Sequence, residues 1–165
     1  MNQFSGSYIF QQAKYVEFII VVVFSVGLVG RTYNDITGAF IMNISLVSLG
    51  LLHLFIGFSA HKYLPKISKG LAGWTAFSGV AAAFMVTGIL MKFNQWPFAG
   101  KILIYSLVPG LLGLSVVTIR TWKMEEYEAF FKRHSIRLLV IAGIAGGMYY
   151  RSSESIATIF DFSFR

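Results

Sequence analysis

Apolar residues in this chain come in long, nearly unbroken runs, and runs of that length predict membrane-spanning helices rather than the elements of a soluble fold. The first run is Val16 to Gly30, extended upstream by Tyr8 to Phe10, and it stops at Arg31-Thr-Tyr-Asn-Asp35. The second, Gly38 to Ala60, stops at the basic loop His61-Lys62-Tyr-Leu-Pro-Lys66-Ile-Ser-Lys69. The third, Gly70 to Leu90, is rich in Ala and Gly and ends at Lys92-Phe-Asn-Gln-Trp96-Pro97. The fourth, Ile102 to Ile119, carries Pro109 and Gly110 internally, breaks that membrane helices tolerate when neighbours satisfy the freed backbone groups.

Beyond the fourth run the pattern changes. Arg120 to Arg137 is charged, with Glu125, Glu126, Glu128, Lys132 and Arg133, and predicts an amphipathic helix lying on the membrane surface with its acidic residues on a solvated face. The fifth apolar run, Leu138 to Tyr150, has 13 residues. It crosses if Ser135 and Ile136 join it and the flanking Arg137 and Arg151 snorkel; otherwise it is re-entrant or interfacial. The tail from Ser152 to Arg165 alternates polar and apolar residues over Ser155 to Phe164, which suits an edge-docking strand, a short interfacial segment or a frayed terminus.

Composition agrees with the runs: 56% of the 165 residues are hydrophobic, 13% are charged and the mean hydropathy is +0.67. The expectation is an all-α integral membrane protein of four or five transmembrane helices, organised as one membrane domain over residues 1–165. Its parts are hairpin 1 at about 8–60, hairpin 2 at about 70–119, the connector 120–137, the short span 138–150 and the tail 151–165. No small-residue cleavage site follows the first run, which reads as an uncleaved span rather than a signal peptide.

The net charge of +7 does not point to nucleic acid, because the Lys and Arg residues flank apolar spans. With five spans, Lys14, Lys62, Lys66, Lys69, Arg120, Lys123, Lys132, Arg133 and Arg137 fall on one side of the membrane. Arg31, Lys92, Lys101, Arg151 and Arg165 fall on the other, and nine against five predicts a cytoplasmic N-terminus in a bacterial inner membrane. The absence of cysteine excludes disulfides, thiolate metal sites and covalent haem attachment.

Shifting the chain against itself by 61 positions aligns two helical hairpins without a gap. Gly27-Leu-Val-Gly-Arg31 falls on Gly88-Ile-Leu-Met-Lys92, and Ile41, Ser45, Leu46 and Val47 fall on Ile102, Ser106, Leu107 and Val108. Either the halves are copies of one unit in parallel orientation, or the match reflects the few residue types that spans use.

The element Gly88-Ile-Leu-Met-Lys92-Phe-Asn-Gln-Trp96-Pro97-Phe-Ala-Gly100 resembles a hairpin of small Bacteroidota membrane proteins, and is similar to the membrane hairpin of the L protein of the gliding-motility and type IX secretion motor. The most specific part is the Lys-x-x-x-Trp-Pro-x-Ala-Gly turn. The resemblance implies a shared hairpin architecture and association with an ion-driven machine. In that motor family it implies a carboxylate inside the membrane helices; here no acidic residue is expected deep in a span, and His53 falls near that place without matching it.

Polar groups deep in a bilayer are functional suspects by default. His53 is the clearest, able to carry a proton, bind haem or accept a hydrogen bond, although a neutral His satisfied by a neighbouring helix is the commoner outcome. A second haem-ligating histidine is not expected at that depth, since His61 and His134 fall in loops. Asn43, Ser45, Ser48, Thr87 and Ser106 read as interhelical hydrogen-bonding glue, with Asn43 and Thr87 as further candidates for a substrate path. Gly143-x-x-x-Gly147 allows close helix approach. Arg31, Lys92, Trp96 and Trp122 read as lipid or interface anchors. No phosphate loop, catalytic triad, metal-spaced cluster or paired carboxylate appears. The expected function is therefore non-catalytic, without cofactor: an accessory subunit contacting lipid and other integral membrane subunits, with no oligomeric state fixed. The alternative is a small transporter or channel built from two pseudo-symmetric hairpins around His53 and Thr87.

Overall fold

The computed structural model describes residues 4–33, 35–64, 67–121 and 128–151. Over these the chain forms five helices: α1 (Phe4–Thr32), α2 (Ile36–Tyr63), α3 (Lys69–Phe93), α4 (Ala99–Thr121) and α5 (Glu128–Tyr150). Four segments, Gln12–Thr32, Ile36–Ala60, Lys69–Phe93 and Ala99–Thr121, are long and apolar enough to cross a membrane, so the chain is a multi-pass membrane protein. Large apolar side chains including Phe18, Val26, Phe40, Leu51, Phe84 and Leu112 face outward, as they do when the surrounding solvent is lipid.

Each turn has a local cause. Asp35 caps α2 by accepting the Thr37 N–H, and Ser68 caps α3 by accepting the Leu71 N–H. Between α1 and α2 the backbones touch: a Cβ on Gly38 would lie 2.5 Å from the carbonyl carbon of Gly30. The Lys-x-x-x-Trp-Pro turn is a Schellman cap. Gln95 adopts φ 55°, its N–H bonds to the Lys92 carbonyl, and the Trp96 N–H bonds to the Met91 carbonyl. Pro97 then prevents the helix from continuing.

α3 is the central helix, packed against α2, α4 and α5. Two apolar clusters fill the interior. One joins Met42, Leu46, Met85, Val86, Leu103, Leu138 and Ile141; the other, toward the end that carries the α2–α3 loop, joins Ala60, Leu64, Leu71, Val117 and Phe131.

The two hairpins repeat contacts at the 61-residue offset. Gly27 receives the Met42 backbone as Gly88 receives Leu103, and the Ser45 and Ser106 hydroxyls donate to the carbonyls of Ile41 and Ile102. Those two serines, and Thr87 bonded to Ala83, therefore return to their own helices four residues back instead of linking helices. The glue expected of them is absent from their contacts, because back-bonding satisfies a hydroxyl without a partner helix.

The structure also revises the connector. Arg120 and Thr121 finish α4, and Glu128 to Arg137 form the first turns of α5, continuous with the fifth apolar run. α5 is 23 residues long and buries Phe131, His134, Leu138, Ile141, Ala142 and Ala145 along one stripe. The stripe begins in the charged stretch, so this part packs on the bundle and is no separate surface helix. Glu125, Glu126, Trp122 and the tail from Ser152 lie outside the described residues, as does the side chain of Glu128.

Candidate functional site

Between the two apolar clusters lies a layer of polar side chains contributed by α1, α2, α3 and α5. Glu17 is five residues inside the Gln12–Thr32 segment, about 8 Å along its axis. It forms an ion pair with Arg137 of α5, with Oε2 at 2.5 Å from one guanidinium nitrogen and 2.6 Å from Nε. Their side chains are 21% and 12% exposed, so the pair is largely withdrawn from the surface. Glu17 thus lies within the first apolar run but near its end, in keeping with the expectation that no acidic residue lies deep in a span. Glu17 reads as the polar edge of its run in sequence because its partner lies 120 residues away.

His53, fully buried on α2, sets its Nδ1 2.8 Å from the Leu49 carbonyl of its own helix. His134 is fully buried too and stands 2.8 Å from the Ser78 hydroxyl through Nε2, with Phe130 stacked parallel to its ring. The expectation that His134 sits in a loop therefore fails, and with it the ground on which a second histidine at the depth of His53 was dismissed.

Close helix approach creates the layer. A Cβ on Gly79 would lie 2.7 Å from the His53 carbonyl oxygen and 2.9 Å from the Gly57 Cα, so α2 and α3 cross in backbone contact beside His53 and Ser78. On the other flank a Cβ on Gly113 of α4 would lie 3.0 Å from the Ser78 Cβ. Glu17 and Ser78 occupy equivalent positions at the 61-residue offset. α5 thus places Arg137 against the first hairpin and His134 against the second, three residues apart on its inner face.

The other sequence candidates are elsewhere. Asn43 exchanges amide hydrogen bonds with Asn94 at the opposite end of the bundle, 3.0 and 3.4 Å. Beside it, Arg31 donates to the Phe93 carbonyl and lies over the Phe93 ring, closing the end of α3. Lys92 is buried in the last turn of α3, where a cation meets the negative end of the helix dipole. Trp96 is exposed. Thr87 lines a shallow outer groove with Leu46, Gly50 and Leu54 and takes no part in the His53 layer. Gly143 and Gly147 lie on the outward face of α5 with no atom within 4 Å of a Cβ built on either. A second outer cleft, of about 390 Å³, runs between α3 and α4 beside Phe77, Phe84, Tyr105 and Pro109.

Sequence reasoning placed His53 at depth but missed Glu17, Ser78, His134 and Arg137. The signal available was the 61-residue offset, which pairs Glu17 with Ser78, together with the heptad-like spacing from Phe131 to Ala145 that draws His134 inward. The chain matches no family model, no curated protein and no solved structure.

Proposed function

We propose that the protein is a non-catalytic subunit of a bacterial inner-membrane assembly, with a cytoplasmic N-terminus, whose helices hold partner helices of an ion-driven motor, secretion or transport machine. The observation that carries this reading is the outer face of α5. Gly143 and Gly147 are one turn apart, open, and flanked by exposed Leu139, Val140 and Ile144, a surface on which another membrane helix packs closely. The likeness of the Lys92 to Gly100 turn to motor-associated hairpins supports the kind of machine, and the nine-to-five distribution of Lys and Arg supports the orientation.

The test is affinity capture of the full chain from its native membrane in mild detergent, with mass spectrometry of what co-purifies in fixed stoichiometry. The expected result is a defined set of membrane subunits that is lost in Gly143→Ile/Gly147→Ile while the captured chain stays folded. Recovery of a lone monomer or homo-oligomer overturns the reading.

A second reading, a small transporter or channel of two pseudo-symmetric hairpins, is favoured by the repeated Gly27–Met42 and Gly88–Leu103 contacts around an ionisable interior. Its centre is His53 with Ser78, not Thr87. Proton or ion flux into proteoliposomes that is unchanged by His53→Ala removes it.

A further inference from the structure

The outer cleft between α3 and α4 has one helical stripe on each side. Phe77, Ala81 and Phe84 lie about a turn apart on α3, as do Ile102, Ser106 and Pro109 on α4. Ala81 and Ser106 are small and buried, and form the floor, while the exposed rings of Phe77, Phe84 and Tyr105 stand at the rims. The Ser106 hydroxyl donates to the Ile102 carbonyl of its own helix, so it is spent within α4 and the floor is apolar.

The dimensions fit a single hydrocarbon chain and are too small for a helix. Phe77 lies level with Gly113, where a Cβ would stand 3.5 Å from its ring. From Ile102 to Gly113 α4 rises about 16 Å at 1.5 Å per residue. That is the depth of one leaflet, half of a hydrocarbon layer about 30 Å thick. The volume of about 390 Å³ spread over this length gives a mean section of about 24 Å². A helix about 10 Å across needs a section of about 80 Å² and runs the full height of the membrane.

The end of the cleft at Ile102 is basic. Lys101 is exposed in the first turn of α4, one turn from Tyr105. Helix side chains lean toward the N-terminus, so both polar tips point out of the cleft toward the membrane surface. The Lys101 ammonium stands 5.4 Å from the centre of the Phe98 ring, and among the described residues no carboxylate pairs with it. The same end of the bundle carries Arg31, Lys92 and Arg151 against Asp35 alone among its described charged residues.

We propose that the α3–α4 cleft is a phospholipid site: it holds one acyl chain of an anionic lipid from the leaflet that meets the α3–α4 turn, with the lipid phosphate on the Lys101 ammonium. Bulk lipid is as apolar as the cleft, so apolar burial alone selects nothing. Selection comes from a slot one chain wide and from the positive charge at its mouth. The site lies on a different flank of the bundle from the open Gly143 and Gly147 face of α5.

The test is native mass spectrometry of the delipidated full chain in mild detergent, titrated with palmitoyl-oleoyl phosphatidylglycerol and, separately, with phosphatidylethanolamine of the same chains. The expected result is one saturable lipid per chain, with the anionic lipid bound about five-fold more tightly. Lys101→Gln is expected to remove that preference and Lys101→Arg to keep it. Val80→Trp places an indole in the cleft and is expected to abolish the saturable step, whereas Leu112→Trp, on the exposed face of α4 outside the cleft, leaves it intact. Equal affinity for the two headgroups, a preference indifferent to Lys101→Gln, or binding of many lipids without saturation overturns the proposal. A lipid-free dimer that Val80→Trp splits also overturns it, since a second copy then covers the cleft. If Val80→Trp fails to fold, the two variants at exposed Lys101 still decide.

Discussion

Breaking the Glu17–Arg137 pair tests whether α5 is fastened to α1 inside the membrane. An exposed ion pair contributes about 0–1 kcal/mol, while removing one partner of a buried pair costs about 3–5 kcal/mol because the other charge is left uncompensated. At 21% and 12% exposure the two side chains stand nearer the buried case, but their position near the end of the apolar segment lets an orphaned charge snorkel. Glu17→Gln and Arg137→Gln are therefore each expected to cost about 2–3 kcal/mol, and the double variant only about 1–2, since two neutral amides bond to each other. The coupling is then at least about 2 kcal/mol, close to a thirty-fold change in the folding equilibrium. Reversible unfolding in mixed micelles, titrated with SDS and followed by far-ultraviolet circular dichroism, measures all four corners of the cycle. Single variants that each lose under about 0.5 kcal/mol, or a double variant equal to their sum, would refute the argument that this pair is desolvated and mutual.

Other substitutions probe the packing around it by the same assay. Gly79→Ala is expected to destabilise by about 1–3 kcal/mol, because its Cβ would sit 2.7 Å from the His53 carbonyl oxygen and neither backbone can yield cheaply. Gly73→Ala, on the same helix with nothing within 4 Å, is the control and is expected to change stability by no more than about 1 kcal/mol, in the stabilising direction. Gln95→Gly is expected to stabilise by about 0.5–1 kcal/mol, since φ 55° at the α3 cap favours glycine. Asn94→Leu removes both the Asn43 pair and a side-chain bond to Leu90, and about 1 kcal/mol of loss is expected from interhelical and capping bonds of this kind.

The fold was legible where a run of residues decides its own fate. Four runs of about 20 apolar residues have one stable state in a bilayer, and their ends were marked by Arg31, Lys69, Lys92 and Arg120. α5 was not legible as one helix because its inward stripe and its outward face change character in different places. Phe131 and His134 pack inward at positions where Lys132 and Arg133 already face outward. A charge count along the sequence averages the two faces and reads a surface connector. His53 was visible because it interrupts an apolar run. His134 was hidden because it lies among polar neighbours in sequence, and the role of Glu17 because its partner Arg137 is 120 residues away.

Those contacts give the offset of 61 residues a structural meaning that apolar composition alone does not supply. Here Gly27 and Gly88 both admit the second helix of their own hairpin, and Glu17 and Ser78 both turn toward α5. One difference between them bears on α5: the first hairpin presents a carboxylate and the second a hydroxyl. α5 answers that difference with Arg137 for the acid and His134 for the hydroxyl, so exchanging the two would leave Glu17 without its cation. A fifth helix that reads opposite chemistry from two alike hairpins fixes which hairpin it meets on each side, and it does so inside the apolar interior, where a mismatch costs most.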